Sequence, residues 1–339
     1  MYLQRSQGVP IDVDILIDYN VEVSSRIIRF FDIIMPHLAR CRTIRVSMAS
    51  TQGLRYFFPF VGPFPFLESM NVTLLEDLYY HQSCIKYFEM PIPFMTGSAG
   101  RLRSMAVSAD PSYWITLDKM QTPSLVIADI DTGSAMGCMV FAKSCPALRE
   151  LVIDVGAEGA MLNDGHDLAL SSLESFVLNG THTYTRLSSF FLPNLLHLSI
   201  HGPVDLQDAV FPSLISLTVQ EPDMESKSLG KFIRSHPNLV ALQLLCESST
   251  ADVLYNMSGP NTLCTSTLRL IRLIKGSDRR GGMTDLLPHA LQYLLERNPS
   301  VSIEWRGDKL PRDLLPVQAS HPERMVLQTK AQGPLSDQF

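Results

Sequence analysis

Long hydrophobic runs are missing from this chain. No stretch of about 18 consecutive apolar residues occurs, so a transmembrane helix is not expected. No secretory h-region follows Met1, because Asp12, Asp14 and Asp18 interrupt early. Cysteine is sparse. The six residues Cys41, Cys84, Cys138, Cys145, Cys246 and Cys264 contain no Cys-x-x-Cys pair, which argues against a disulfide framework or a zinc site. Reduced thiols imply an intracellular home, cytoplasmic or nuclear. Basic charge is also short: 28 Lys and Arg face 34 Asp and Glu, for a net charge of −6. The densest basic runs, Arg40/Arg42/Arg45 and Arg279-Arg280, are too small for a phosphate-binding surface, so no nucleic-acid partner is expected.

Catalytic signatures are absent as well. The chain has no Gly-x-Ser-x-Gly elbow, no Walker loop and no Gly-x-Gly-x-x-Gly. An enzyme is therefore not expected, nor a cofactor or a bound metal. His197 and His201 fall on one face of a strand, about 13 Å apart by strand geometry, and cannot share a metal. Gly281-Gly282 after Arg279-Arg280 reads as a turn before a helix. The glycosylation triplets at Asn71, Asn179 and Asn256 read as chance in a chain without a leader. The aromatic stretch from Tyr56 to Leu67 is broken by Pro59, Pro63 and Pro65, and reads as a loop rather than a membrane contact.

What the chain does have is a recurring motif, Pro-x-Leu-x-x-Leu-x-(Ile/Leu/Val). It appears as Pro146-Ala-Leu148-Arg-Glu-Leu151-Val-Ile153 and Pro193-Asn-Leu195-Leu-His-Leu198-Ser-Ile200. It returns as Pro212-Ser-Leu214-Ile-Ser-Leu217-Thr-Val219 and Pro237-Asn-Leu239-Val-Ala-Leu242-Gln-Leu244. Leu173/Phe176/Leu178 and Leu268/Ile271/Leu273 repeat the spacing without proline. From first leucine to first leucine the steps are 25 (Leu148 to Leu173), 22 (to Leu195), 19 (to Leu214), 25 (to Leu239) and 29 (to Leu268). Upstream the frame continues at Leu125/Ala128/Ile130, Leu102/Met105/Val107, Leu67/Met70/Val72 and Cys41/Ile44/Val46. Steps of about 20–29 residues are those of leucine-rich repeats. One short strand cannot bury its apolar edge alone, whereas stacked copies can.

The expected fold class is α/β: a leucine-rich-repeat-like solenoid with parallel strands on the concave face and irregular helices and loops on the convex face. Helices are expected over Val23 to Cys41, Gly137 to Cys145, Ser226 to His236 and Leu286 to Asn298, with proline ending the last three. Gly202 to Pro212 is too short for more than a turn. Ile11 to Ile17 alternates like a strand with no polar cap before it, which suggests a longer natural protein or a start in mid-solenoid. The solenoid is expected to span residues 1–306, with 307–339 a loosely ordered tail rich in Pro, Gln and charge.

The residues between the inward leucines must face out. By this alternation one face carries Ser104, Ala106 and Ser108; Glu150, Val152 and Asp154; and Ser175, Val177 and Asn179. It continues with His197, Ser199 and His201; Ser216, Thr218 and Gln220; Gln243 and Leu245; and Arg272 and Ile274. This mostly uncharged polar surface suits a protein partner. The candidate partner-binding residues are Glu150, Asp154, Asn179, His197, Ser199, His201, Thr218, Gln220, Gln243 and Arg272. Edge loops at 56–66 and 276–283 are the competing location.

Tyr2-Leu-Gln-Arg-Ser6-Gln-Gly8-Val-Pro10 leading into a strand, then Met35-Pro36-His37-Leu-Ala-Arg40-Cys-Arg42-Thr-Ile44, resembles fungal, basidiomycete-type F-box/leucine-rich-repeat proteins. The starts Cys145-Pro146 and Phe211-Pro212 fit the same family. The resemblance spans most of residues 2–305. It implies the substrate-recognition part of an F-box-type ubiquitin ligase adaptor, with an unidentified protein as target. The helical F-box that docks a Skp-type adaptor in such proteins has no counterpart here, so that partner is expected only with an F-box upstream of this chain. Alternatives are a free-standing leucine-rich-repeat scaffold without a ubiquitin role, and a small-molecule binder or enzyme built on the solenoid.

Overall fold

Alternation of inward and outward side chains organises the described chain. The computed structural model describes residues 8–17, 29, 32–48, 60–61, 63–74, 92–93, 95–108, 115–116, 120–131, 138, 141–155, 168–180, 185–202, 204–220, 226–246, 250–258, 267–275 and 286–328. The chain divides into two compact units, Met1–Thr183 and Tyr184–Phe339.

The main sheet of the first unit has seven parallel strands in chain order: β1 (Ile11–Ile17), β2 (Cys41–Met48), β3 (Ser69–Leu74), β4 (Ser104–Ser108), β5 (Ile127–Asp131), β6 (Glu150–Val155) and β7 (Ser175–Gly180). That of the second has six: β8 (His197–His201), β9 (Ser216–Gln220), β10 (Ala241–Cys246), β11 (Leu270–Lys275), β12 (Ser302–Arg306) and β13 (Met325–Gln328). This is the leucine-rich-repeat-like solenoid fold. The motif leucines are in register. Met70, Met105, Ala128, Leu151 and Phe176 form one buried ladder in the first unit. Leu198, Leu217, Leu242, Ile271, Ile303 and Met325 form its counterpart in the second. Val152, Ser199, Thr218 and Gln243, one residue along, are half-buried and face out.

The motif proline has a more specific role than ending helices. Each motif opens with a four-residue turn closed by a backbone bond from the first leucine: Leu148 to Cys145 at 3.1 Å, Leu195 to Leu192 at 3.3 Å, Leu214 to Phe211 at 3.1 Å and Leu239 to His236 at 3.1 Å. Proline fills the second turn position, where its fixed φ fits and no N–H is needed. Pro65 and Pro123 occupy the same place, heading turns closed by Leu67 and Leu125. The residue before the leucine then ties adjacent repeats together. Ser172 donates to the Pro146 carbonyl at 2.7 Å, Ser213 to Pro193 at 2.8 Å and Asn238 to Pro212 at 2.8 Å, and Thr267 donates to Pro237.

The return paths differ between units. In the first, Phe60–Val61, Met95–Ser98 and Met120–Gln121 make a small second parallel sheet. Of the two helices expected there, the described parts are a helical piece at 32–34 running into a 3-10 turn, Met35–Arg40, and helical residues within 138–143. In the second unit α1 (Ser226–Ser235) and α3 (Leu286–Arg297) lie where the apolar spacing places them. Leu287, Ala290, Leu291, Leu294 and Leu295 of α3 are buried at helical spacing. A further helix, α2 (Thr250–Ser258), packs between them with Val253, Leu254 and Met257 buried.

Past residue 306 the described chain departs from the expected loose tail. A 3-10 turn at Arg312–Leu314 leads into the short helix α4 (Leu315–Ser320), and β13 then pairs parallel with β12. Leu314, Val317 and Met325 are buried and anchor this segment. The Arg324 guanidinium donates to the carbonyls of Leu295 at 2.9 Å and Val301 at 2.7 and 2.9 Å, and to that of Asn298. It thereby adds donors to carbonyls at and beyond the C-terminal end of α3, of which that of Asn298 also accepts the Val301 N–H at 3.1 Å. Residues 329–339 lie outside the described residues, as do 56–59, 62 and all of 276–283.

Candidate functional site

In each unit the side chains that alternate with the buried ladder form a regular outward face. In the first unit Glu150 is exposed, and Asp154 and Asn179 are half-buried. Asp154 and Asn179 are register partners, and Asp131 faces Asp154 from β5. Neighbouring strands lie about 4.8 Å apart, so the carboxylates crowd. Burial, and then the charge of Asp154, raises the pKa of Asp129 on the same face. Ser108 donates to Asp131 at 2.9 Å. Asp129 and Asp131 were open to detection, because they alternate with the inward Ala128 and Ile130.

The other seven candidates belong to the second unit. Across β8 to β12 one register row reads Ser199, Thr218, Gln243, Arg272, Glu304. A flanking row begins His201, Gln220. His197 faces Ser216. All seven are half-buried, with polar side chains turned away from the leucine ladder. Ser199 Oγ and His201 Nε2 are 3.0 Å apart, so this pair is positioned locally. Sequence reasoning missed Glu304, which is 7% exposed despite lying on this face. Arg272 holds it at 2.7 Å and Arg306 at 3.4 Å. The alternation Ile303-Glu304-Trp305 was the available signal.

Other titratable groups serve packing. The Cys41 thiol is fully buried and pushed up to about 11, chiefly by that burial. Cys145 is raised for the same reason and sits 3.2 Å from Thr122 Oγ1. A thiol held protonated is a poor nucleophile or ligand. Among the described residues no group of three or more His, Cys, Asp or Glu is placed to hold a metal ion. No helix among them is long and apolar enough to cross a membrane.

His236 is buried between a turn and a helix. Its Nε2 accepts the Phe211 N–H at 2.9 Å, so Nδ1 carries the proton and donates to the Phe232 carbonyl at 2.6 Å. The ring lies 4.0 Å from that of Phe232. Burial lowers its pKa from 6.5. The unfolded chain therefore takes up this proton at higher pH than the folded one. The stabilisation is fully present above about pH 6.5 and falls as pH drops from there through the lowered folded value. Urea midpoints between pH 7.5 and 5 should show this loss, and His236→Gln should flatten that part of the profile. An unchanged profile in the variant would remove His236 from the account.

Comparison with family models finds no match, and comparison with curated proteins finds none. Among solved structures, TLR13 in complex with ssRNA13 shares 14% identity at a TM-score of 0.43, over 79% of this chain and 44% of that one. The chain thus spans under half the length of that protein. An internalin (InlF) from Listeria monocytogenes shares 11% identity at a TM-score of 0.32, over 86% of this chain and 88% of that one.

Proposed function

We propose that the chain is a non-catalytic protein-binding repeat module whose docking surface is the outward face of β8 to β11. The observation that carries this reading is the in-register array of half-buried, mostly uncharged polar side chains: Ser199, Thr218 and Gln243 in one row, His201 and Gln220 beside it. Such groups are cheap to leave in water and give directional hydrogen bonds when a partner arrives. Replacing His201 and Gln220 together with Ala should cost far less than the about 2–5 kcal/mol of a truncated ladder leucine, because both side chains face out of the core. Recovery of the partner by affinity purification should fall. Undiminished recovery, with loss on editing 56–66 or 276–283, would move the function to the edge loops.

The finer reading follows the family resemblance: the bound protein is a degradation target and the chain is the substrate-recognition part of an F-box-type adaptor. Glu150, Asp154 and Asn179 in the first unit are proposed as further target contacts. Under this reading residues 1–339 alone do not retain a Skp-type adaptor in a pull-down, whereas a version extended upstream does, if an F-box is encoded there. Retention by the repeats alone would contradict the division of labour. A free-standing scaffold with no ubiquitin role is the remaining reading if neither form retains it.

A further inference from the structure

The residue after the first leucine of each motif lies outside the core, and backbone bonds line these residues up across the strands. In the first unit each N–H donates to the carbonyl of the one before. Glu68 donates to Arg42 at 2.8 Å, Arg103 to Glu68, Val126 to Arg103 and Arg149 to Val126 at 2.9 Å, and Glu174 to Arg149 at 2.8 Å. Charge fills this row. Only Val126 interrupts it, and Arg149 pairs with Glu174 at 3.3 Å. In the second unit the same bonds join Ile215 to Leu196 at 2.9 Å, Val240 to Ile215 at 2.8 Å and Arg269 to Val240 at 2.9 Å. Here three consecutive members are apolar. Ile215 is 38% and Val240 37% exposed, and Leu196 is half-buried. Core packing does not demand them, because the equivalent position of other repeats takes Arg or Glu. The next residue in each strand, His197, Ser216, Ala241 and Leu270, begins the outward face. The apolar row is therefore the amino-terminal rim of the proposed docking surface. Arg269, exposed at its end, is the only Lys, Arg, Asp or Glu in these two rows from β8 to β11.

The three aliphatic side chains expose on the order of 200 Å² together, against about 800 Å² per partner in a stable interface. A second copy of the chain held by this row alone would not stay paired, whereas a short segment that also reaches the polar face fits. Spacing selects the form of that segment. Successive row members stand about 4.8, 9.6 and 14.4 Å from Leu196. Positions i+3, i+7 and i+10 of a helix rise about 4.5, 10.5 and 15 Å and share one face. Alternate residues of an extended segment step about 6.8 Å and are out of phase by the third. We propose that the row Leu196, Ile215, Val240 seats a short amphipathic helix of the partner protein, laid across the strands, with three apolar anchors and a carboxylate at the Arg269 end. The proposal rests on the reading of β8 to β11 as the docking surface and names the chemistry of what docks there.

The test is fluorescence anisotropy of labelled, lactam-bridged helical peptides with the full chain. The probe is an Ala/Gln helix carrying three Leu at i, i+3 and i+7 and Glu at i+10. Its controls carry Ser for the three Leu, or Lys for the Glu. The expected result is the Leu probe binding about tenfold tighter than its Ser control. The net charge of −6 favours the Lys control at long range, so tighter binding of the Glu form reports Arg269. I215R/V240E copies the Arg149–Glu174 pair of the first unit onto the rim, so the fold should accept it, and it should reduce the Leu probe to the Ser level. If its urea midpoint falls, I215T alone must still weaken the Leu probe several-fold. A Leu probe no tighter than its Ser control, or indifferent to these variants, overturns the proposal. So does tighter binding of the Lys control, or a dimer in sedimentation that I215R/V240E abolishes, which would give the row to a second copy. H201A/Q220A keeps the two readings apart. Loss of partner recovery in that variant, with no discrimination between Leu and Ser probes, removes the rim and leaves the face. Discrimination between the probes with full recovery does the reverse.

Discussion

Replacing Arg324 with Met is expected to destabilise the second unit by about 2–4 kcal/mol, a large effect for a residue outside the leucine ladder. The reason is the set of carbonyls it serves. Leu295, Asn298 and Val301 direct three oxygens at one guanidinium, and the donors come from Nε and both terminal nitrogens. Methionine keeps the aliphatic stem but leaves these part-buried acceptors to be resolvated. Lysine should rescue only in part, because one ammonium cannot span the three oxygens. Urea unfolding gives the loss. Hydrogen exchange locates it, as faster exchange across 286–301 and 325–328 than across β8. Wild-type protection in both segments would mean that the guanidinium does not hold the last strand.

Truncating Leu198 to Ala is expected to cost about 2–5 kcal/mol. Leu198 is 2% exposed and stands in the ladder with Leu217 and Leu242, so the lost methyls leave a cavity flanked by packed neighbours. Its neighbour Ser199 is the control. That side chain faces out and gives up only its bond to His201, so Ser199→Ala should cost no more than about 1 kcal/mol. Equal losses at both positions would contradict the alternation on which the face assignment depends.

The ladder was legible because two periods coincide in the sequence: the fixed gap from Leu195 to Leu198 and the alternation Leu198-Ser199-Ile200. The turn before it was half legible. Pro193 and Pro212 were visible, but their place as second turn residues follows from backbone bonds that spacing alone does not reveal. The segment after 306 was misread for a related reason. Met325-Val-Leu-Gln alternates over only four residues, without a motif leucine before it, and is secured instead by Arg324 reaching carbonyls more than twenty residues upstream. Nothing in local composition marks such a contact. Helix α2 was missed although Ala251, Val253, Leu254 and Met257 are buried, because it is only nine residues long, shorter than the window over which helical spacing stands out. Membership of the outward face could be read residue by residue. The crowding of Asp131 on Asp154, and the clasp of Glu304 by Arg272 and Arg306, could not, because both depend on inter-strand register.

The central claim is that a protein partner lies on the outward face of β8 to β11 and not on the helical side of the second unit. A photo-cross-linking residue placed at Thr218 tests it directly, against the same residue at Lys231, which is exposed on α1. The partner recovered by affinity purification should form a covalent adduct from position 218 and none from 231, with the 218 adduct lost in the H201A/Q220A background. An adduct from 231 with none from 218 would contradict the account.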